Sequence, residues 1–283
     1  QRVRLVHTNT LIAGYCGLSA ARRGSVPCVW HLRDLSYPGV GRWACRRADR
    51  VLANSSATAA ALGGPADKLR VVYNGVDAAF FAGADGESVR AELGVAAGET
   101  VIGMVGRLDP WKGHRELLEA AAQIEAPAVF WIVGDVTFGS AQQRLADYKA
   151  SLERLTTELG ISDRVRFLGR RDDMPRVMAA LDVLVHPSNE PEPFGRSIAE
   201  AQAGGKAVIG TRAGGIPELI DEGETGLLVA PGDSGALAAA IRRLLDDPAL
   251  RERMGRRARE RAQERFTVAR HVASVQAVYD ELL

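Results

Sequence analysis

The stretch "VIGMVGRLDPWKGHRELLEAAAQI", Val101 to Ile124, decides the fold. An apolar run, Val101 to Val105, ends at a glycine. A polar loop follows, and then a helical pattern from Lys112 to Ile124. A short strand handed through a glycine turn to an amphipathic helix is the repeating unit of a parallel sheet covered by helices. Towards the carboxyl end the unit recurs, with strands at Val129–Val133, Val165–Leu168, Val183–His186, Ala207–Gly210 and Gly226–Val229. Helices read at Gln142–Leu159, Met174–Ala180, Gly195–Ala203, Ile216–Ile220 and Ser234–Asp246. This is a full doubly wound α/β domain.

Towards the amino end strands read at Val3–Val6, Val26–Trp30, Val51–Ala53 and Arg70–Tyr73, closed by the turn "YNGVD". The stretch Ala82 to Thr100, rich in small residues and glycine, places a linker before the second series. The expected organisation is a partial amino-terminal Rossmann-like domain with linker over 1–97 and a second domain over 98–265. A last helix over 266–283 carries an apolar stripe of Phe266, Val268, Val272, Val275 and Val278. Four strands are fewer than the six or seven of a complete domain of this type, so the first domain is expected to be truncated.

Composition narrows the function. The chain has 283 residues, 46% of them hydrophobic, and a formal net charge of +1. That balance gives no broad positive field for nucleic acid. Cys16, Cys28 and Cys45 match no zinc or CxxC spacing and read as reduced thiols of a cytoplasmic protein. No apolar run approaches a membrane span.

Parallel sheets take ligands beyond the carboxyl ends of their strands. In "GRLDPWKGH", Gly106 lets a backbone approach a ligand, Arg107 offers a planar donor fork and Lys112 a point charge at a helix start. The set suits a diphosphate; alone it reads equally as a solvated loop. In "SNEPEPFGRSIAEAQAGG", Ser188 to Gly205, Pro193, Phe194 and Gly195 lead into a helix amino terminus. Glu192 suits hydroxyls better than phosphate, and Glu200 lies five residues past Gly195, about 7.5 Å along a helix. Either glutamate alone reads as a surface carboxylate, as does Glu190. Two further loops, "LGRRDDM" with Gly169 and Arg170 and "RAGGIPELI", follow the same rule but also read as plain turn and cap chemistry.

In order, "VWHLRD", "ANSSATAAAL", "VVYNGVD", "GRLDPWKGH", "VRFLGRRDDMPRVMAALDVLVHPS", "EPFGRSIAEAQAGGKAVIGTRAGGIPELI" and "GETGLLVAPGD" resemble the retaining, family 4 type nucleotide-sugar glycosyltransferases of the GT-B fold. The resemblance implies two Rossmann-like domains facing a cleft, the first, 1–97, on the acceptor side and the second, 98–265, binding the nucleotide-sugar donor. It gives Arg107 and Lys112 the donor diphosphate, Glu192 with the amides of Phe194 and Gly195 the transferred sugar, and Glu200 the ribose hydroxyls. Gly106, Gly169 and Arg170 line the donor. His31 matches the first-domain histidine that approaches the sugar. The acceptor hydroxyl would attack on the face the phosphate leaves, a donor oxygen taking the proton, with no metal and no cofactor beyond the nucleotide-sugar co-substrate. The last helix would pack back on the first domain. Family members open with a strand and a glycine-rich loop that this sequence does not show.

The resulting expectation is a hexosyltransferase of glycan or glycoconjugate synthesis, polysaccharide included. Its acceptor would be a glycan, lipid-linked or small molecule. It would be cytoplasmic, with peripheral association at the inner face of the cell membrane. Two other readings stand beside it. One is a nucleotide-sugar-binding pseudoenzyme or subunit without turnover. The other is a hydrolase using Glu192 and Glu200 as an acid and base pair, which leaves the Arg107 and Lys112 loop without a purpose.

Overall fold

The computed structural model describes residues 2–35, 38–81, 83–135 and 142–283. Contacts divide it into two compact units. One comprises Gln1–Gly75, Pro191–Phe194 and Arg265–Leu283, the other Val76–Glu190 and Gly195–Glu264.

The first unit has a four-stranded parallel sheet in the order β1-β2-β3-β4, with β1 at Val6–Thr8, β2 at Cys28–Leu32, β3 at Arg50–Ala53 and β4 at Leu69–Val71. Helices α1 (Leu11–Gly24), α2 (Pro38–Arg47) and α3 (Ser56–Leu62) alternate with the strands. Thr10 and Ser55 start α1 and α3 by accepting amides three residues on. Trp30 anchors one face of the sheet with Leu18, Cys45, Val51 and Leu62. The other face, Val29, Leu52 and Val72, is closed by Val278 from the carboxyl-terminal segment.

The second unit carries two short helices, α4 (Ala78–Phe81) and α5 (Glu87–Glu92), before its sheet. Six parallel strands follow in the order β10-β9-β8-β5-β6-β7. They are β5 (Thr100–Val105), β6 (Ala128–Val133), β7 (Val165–Gly169), β8 (Val183–His186), β9 (Ala207–Thr211) and β10 (Gly226–Val229). The intervening helices are α6 (His114–Ala122), α7 (Gln142–Glu158), α8 (Met174–Ala180), α9 (Arg196–Ala203), α10 (Ile216–Leu219) and α11 (Ser234–Asp246). Leaving β5, the chain first builds β6 and β7 on one side and then returns to build β8, β9 and β10 on the other. The strand order therefore reverses between β5 and β8, the position where doubly wound sheets open a crevice for ligands. Ile102, Phe130, Ile132, Val183 and Ile209 fill the core under α6 and α11.

Three details differ from the sequence reading. The first strand begins at Val6, because parallel pairing starts with Val6 against Cys28 and leaves Val3 63% exposed. The last helix, expected over 266–283, is α13 (Val268–Asp280), capped by Thr267 where it parts from the preceding helix α12 (Pro248–Arg265). The expected apolar stripe is consequently split. Phe266 and Val278 are buried, whereas Val268 and Val272 face solvent at 47% and 57%. The contact division falls at 75/76 where the sequence places its boundary at 97/98, because α4 and α5 pack on α8 and α9 of the second unit.

Candidate functional site

The crevice of the second unit is built by the loops after β5 and β8. Gly106 continues β5, its amide donating to Val133 O at 3.0 Å. Arg107 is exposed and pairs with no carboxylate among the described residues. Leu108, buried at 1%, anchors the loop in the core. A 3-10 turn over Pro110–Lys112 then sets Lys112 Nζ 4.0 Å from the centroid of the Trp111 ring. That cation–π contact holds the ammonium at the mouth of α6.

Gly113 ends the turn at φ +86°, in the left-handed region. A Cβ there would sit 1.9 Å from Pro187 O, so the loop after β5 touches backbone of the loop after β8. Asn189 completes the join. Its amide donates to Trp111 O at 2.9 Å, and its side-chain nitrogen donates to Pro110 O at 3.3 Å and Glu116 Oε1 at 3.0 Å. The helix expected from Lys112 thus begins at His114.

Gly134, after β6, donates its amide to Gly169 O at 2.8 Å and lies against Gly106 O, where its own Cβ would come to 1.9 Å. Gly106 and Gly169 are so brought together at the carboxyl edges of β5, β6 and β7. Arg170, by contrast, points outward and pairs with Asp172 in a largely exposed bridge at 3.4 Å. Gly195, at φ +96°, starts α9. Glu200, on the fifth residue of that helix, is 17% exposed and accepts from Arg196 Nε at 3.0 Å. Burial raises its pKa and Arg196 opposes the rise.

Two histidines lie under these loops. His114 is fully buried, and burial, reinforced by Lys112 and His186, lowers its pKa to about 4 against the pull of the Asp109 backbone. His186 Nδ1 is 3.0 Å from Ser197 Oγ and ties β8 to α9. His114 and His186 are therefore structural neighbours of the crevice that the loop rule did not single out. Their signal was position, at the first residue of α6 and the last of β8.

The remaining predicted residues group with the first unit. Glu192 and Phe194 are 6% and 2% exposed. Thr58 Oγ1 donates to Pro193 O at 3.3 Å, and the Phe194 ring packs against Tyr73 and Phe266. The "EPF" segment thus belongs by its contacts to the first unit, and the helix it leads into belongs to the second.

His31 sits near the end of β2, 1% exposed, with its ring between those of His7 and His271 at 5.8 and 6.1 Å. Burial pushes its pKa down to about 3, with Arg33, His7 and His271 adding to the shift. Arg33 Nη2 lies 3.4 Å from His31 Nδ1. A guanidinium can only donate, so Nδ1 accepts and the neutral ring carries its proton on Nε2. His271 Nδ1 donates to Tyr73 O at 2.7 Å, and His7 Nδ1 meets the Tyr279 hydroxyl. Arg33 directly follows β2 and His7 lies within β1, and the sequence reading singled out neither; His271 and Tyr279 come from α13.

The family model described as glycosyl transferases group 1 matches residues 85–261, and that of glycosyltransferase family 4 matches residues 1–80. The chain belongs to the group 1 glycosyltransferases. Among curated relatives, the N-acetyl-alpha-D-glucosaminyl L-malate synthase of Bacillus anthracis is 32% identical over 77% of this chain and 55% of its own length. The D-inositol 3-phosphate glycosyltransferase of Corynebacterium efficiens is 35% identical over 76% of this chain and 51% of its own. The chain spans about half the length of these relatives. The Anabaena protein Alr3699/HepE, solved in complex with UDP, superposes at a TM-score of 0.92 with 36% identity, over 99% of this chain and 79% of that one. The same protein has been solved with UDP-glucose. Two parallel-sheet α/β units with such neighbours make this group 1 glycosyltransferase a GT-B protein. No helix among the described residues is long and apolar enough to cross a membrane.

Proposed function

We propose that the protein is a retaining, metal-independent glycosyltransferase that moves a sugar from a nucleotide-diphosphate sugar to an acceptor hydroxyl. The observation that carries this reading is the crevice at the strand-order reversal between β5 and β8. There Gly106, Arg107 and Lys112 stand on one loop, locked by Gly113 and Asn189 to the other. A diphosphate needs cations that hold it in the ground state and stabilise it as it leaves. Arg107 supplies a fork and Lys112 a point charge. Both Anabaena complexes named above, with UDP and with UDP-glucose, support a nucleotide-sugar donor.

Glu200, on the first turns of α9, takes the ribose hydroxyls. Gly169 leaves room for the base and Arg170 borders it. Glu192 and the amides of Phe194 and Gly195 hold the sugar. His31, as a neutral Nε2–H donor, offers a hydrogen bond to a sugar oxygen. The acceptor hydroxyl attacks the anomeric carbon on the face the phosphate leaves, and a donor phosphate oxygen takes its proton. Arg107 and Lys112 carry the charge that a metal would otherwise neutralise. The role proposed with this donor is cytoplasmic glycan or glycoconjugate synthesis. The relatives named above are a synthase and a transferase, which does not favour a binding protein without turnover.

The test is UDP, GDP or ADP release from the matching nucleotide sugars with a panel of hydroxyl acceptors, and the anomeric configuration of the product by NMR. Acceptor-dependent release with retained configuration is expected. An inverted product would overturn the retaining mechanism, and no release from any donor would overturn transfer.

A further inference from the structure

A cavity of about 280 Å³ opens in the second unit beside the loop that carries Lys112. Tyr148, Ser151, Leu152 and Leu155 of α7 form one wall. Spacings of three, four and seven residues from Tyr148 put them on a single helix face. Pro110, Glu116 and Asn189 form the other wall. None of the residues proposed to touch donor or sugar lines this cavity.

Two polar atoms in these walls are unusual. Glu116 Oε1 accepts from the Asn189 side chain at 3.0 Å, whereas its Oε2 is buried and has no hydrogen-bond partner among the described residues. The Tyr148 hydroxyl is buried and unpartnered in the same way. A buried polar group is destabilising until something supplies its bond. Burial, with Glu116 and Asp109 adding, pushes the Tyr148 pKa up to about 12 against the pull of Arg115, so the phenol keeps its proton. The cavity therefore presents an O–H donor and a carboxylate acceptor that do not reach one another. An ammonium would serve only Glu116, and an anion would be repelled by it. A hydroxyl serves both, accepting from Tyr148 and donating to Glu116. Leu152, Leu155, Pro110 and the Tyr148 ring add an apolar side that suits the C–H face of a sugar ring.

We propose that this cavity is a second sugar site, which takes one neutral monosaccharide unit and, through Glu116 and Asn189, tightens the loops that hold the donor. The tightening rests on the donor reading above. At about 280 Å³ the cavity lies just below the roughly 300–1,000 Å³ of drug-sized sites and admits a single ring. A sugar hydroxyl on Glu116 Oε2 fixes the carboxylate whose Oε1 holds Asn189 Nδ2. The same Nδ2 donates to Pro110 O, and the Asn189 amide donates to Trp111 O. The Trp111 ring in turn carries the Lys112 ammonium. Occupancy thus orders the turn that places Lys112, and by linkage a bound nucleotide strengthens the sugar in equal measure.

A Ser151→Cys variant reports on the cavity, with the exposed Cys16 as internal reference. Maleimide labelling of both thiols, followed by peptide mass spectrometry, is compared with and without glucose, galactose or mannose, and with glycerol as control. Severalfold slower labelling of the Ser151→Cys thiol relative to Cys16 is expected with at least one hexose. Adding Tyr148→Phe, which deletes only a hydroxyl, should raise the hexose concentration needed by about fivefold. Equal labelling with and without all three hexoses, equal protection by glycerol, or protection that Tyr148→Phe leaves unchanged would overturn the sugar site. Calorimetric titration with UDP, GDP and ADP tests the linkage in chains that keep Ser151. At the hexose concentration that half-protects, nucleotide affinity should rise about threefold with Tyr148 in place and less than about twofold in Tyr148→Phe. An equal rise in Tyr148→Phe would put the acting hexose in the donor crevice and overturn the linkage, as would protection with no change in affinity. If none of the three nucleoside diphosphates binds, the donor reading fails, and protection of the thiol still decides the sugar site.

Discussion

Replacing Gly113 by alanine should cripple donor binding without touching a charged group. At φ +86° any other residue is held in the left-handed region, at about 1–2 kcal/mol. The new Cβ would also lie 1.9 Å from Pro187 O and 2.6 Å from its carbonyl carbon. Both are backbone atoms at the end of β8, so no rotamer change relieves the clash. Two connected loops must separate, and with them the contact of Asn189 with Trp111 O and Pro110 O. A strained backbone position costs of order 1–3 kcal/mol, and the lost loop contacts about 1 kcal/mol each. The expected total is about 3–5 kcal/mol, divided between stability and the position of Lys112. Gly106→Ala is the control, since a Cβ there meets nothing within 4 Å. Urea unfolding and calorimetric titration with UDP, GDP and ADP on both variants check this. Gly113→Ala should lower the unfolding midpoint and weaken nucleotide affinity at least tenfold, and Gly106→Ala should leave the midpoint near wild type. Wild-type stability and affinity in Gly113→Ala would refute the locked-loop argument.

Other outcomes follow from the same geometry. Lys112→Ala and Glu192→Ala should each lower transfer strongly with the fold intact by circular dichroism; wild-type rates in both would refute their roles. Glu200→Ala should weaken the free nucleoside diphosphate more than it slows turnover at saturating donor, and unchanged affinity would contradict a ribose contact. Protonation should unfold the first unit from the acid side. His31 is neutral in the fold with a pKa of about 3, while the unfolded chain titrates near 6.5. The unfolded state then binds the extra proton, so this contribution is present above about pH 6.5 and is lost as pH falls towards 3. His7, lowered by burial, Arg33 and His271, adds in the same direction. Urea midpoints from pH 7.5 to 4.5 should fall with a shallower slope in His31→Gln; equal slopes would show that His31 is not buried neutral.

The second unit was legible because its signals are local. A buried parallel strand needs a continuous apolar run such as Val129–Val133, and the helix after it announces itself by period and cap. The loop rule then singled out Gly106, Arg107, Lys112 and Gly195 as candidates without any knowledge of strand order. What it could not see was the lock between loops. That Gly113 needs the backbone of Pro187, or that Asn189 bonds Trp111, depends on β5 and β8 being neighbours, which no local pattern states. The histidine stack shows the same limit over longer range. His7 and His31 sit on adjacent strands, but His271 arrives from a helix 240 residues after His31. The exposed Val268 and Val272 failed for a related reason: an apolar stripe shows that a helix face is able to bury, and the neighbouring element decides how much of it does.

If the crevice between β5 and β8 binds a nucleoside diphosphate through Arg107 and Lys112, calorimetric titration of the wild-type chain and of Lys112→Ala with UDP, GDP and ADP will register it. One of the three should bind the wild type, and removal of the Lys112 charge should weaken it by tenfold or more, about 1.4 kcal/mol. Binding of none of them, or binding that Lys112→Ala leaves unchanged, would contradict it.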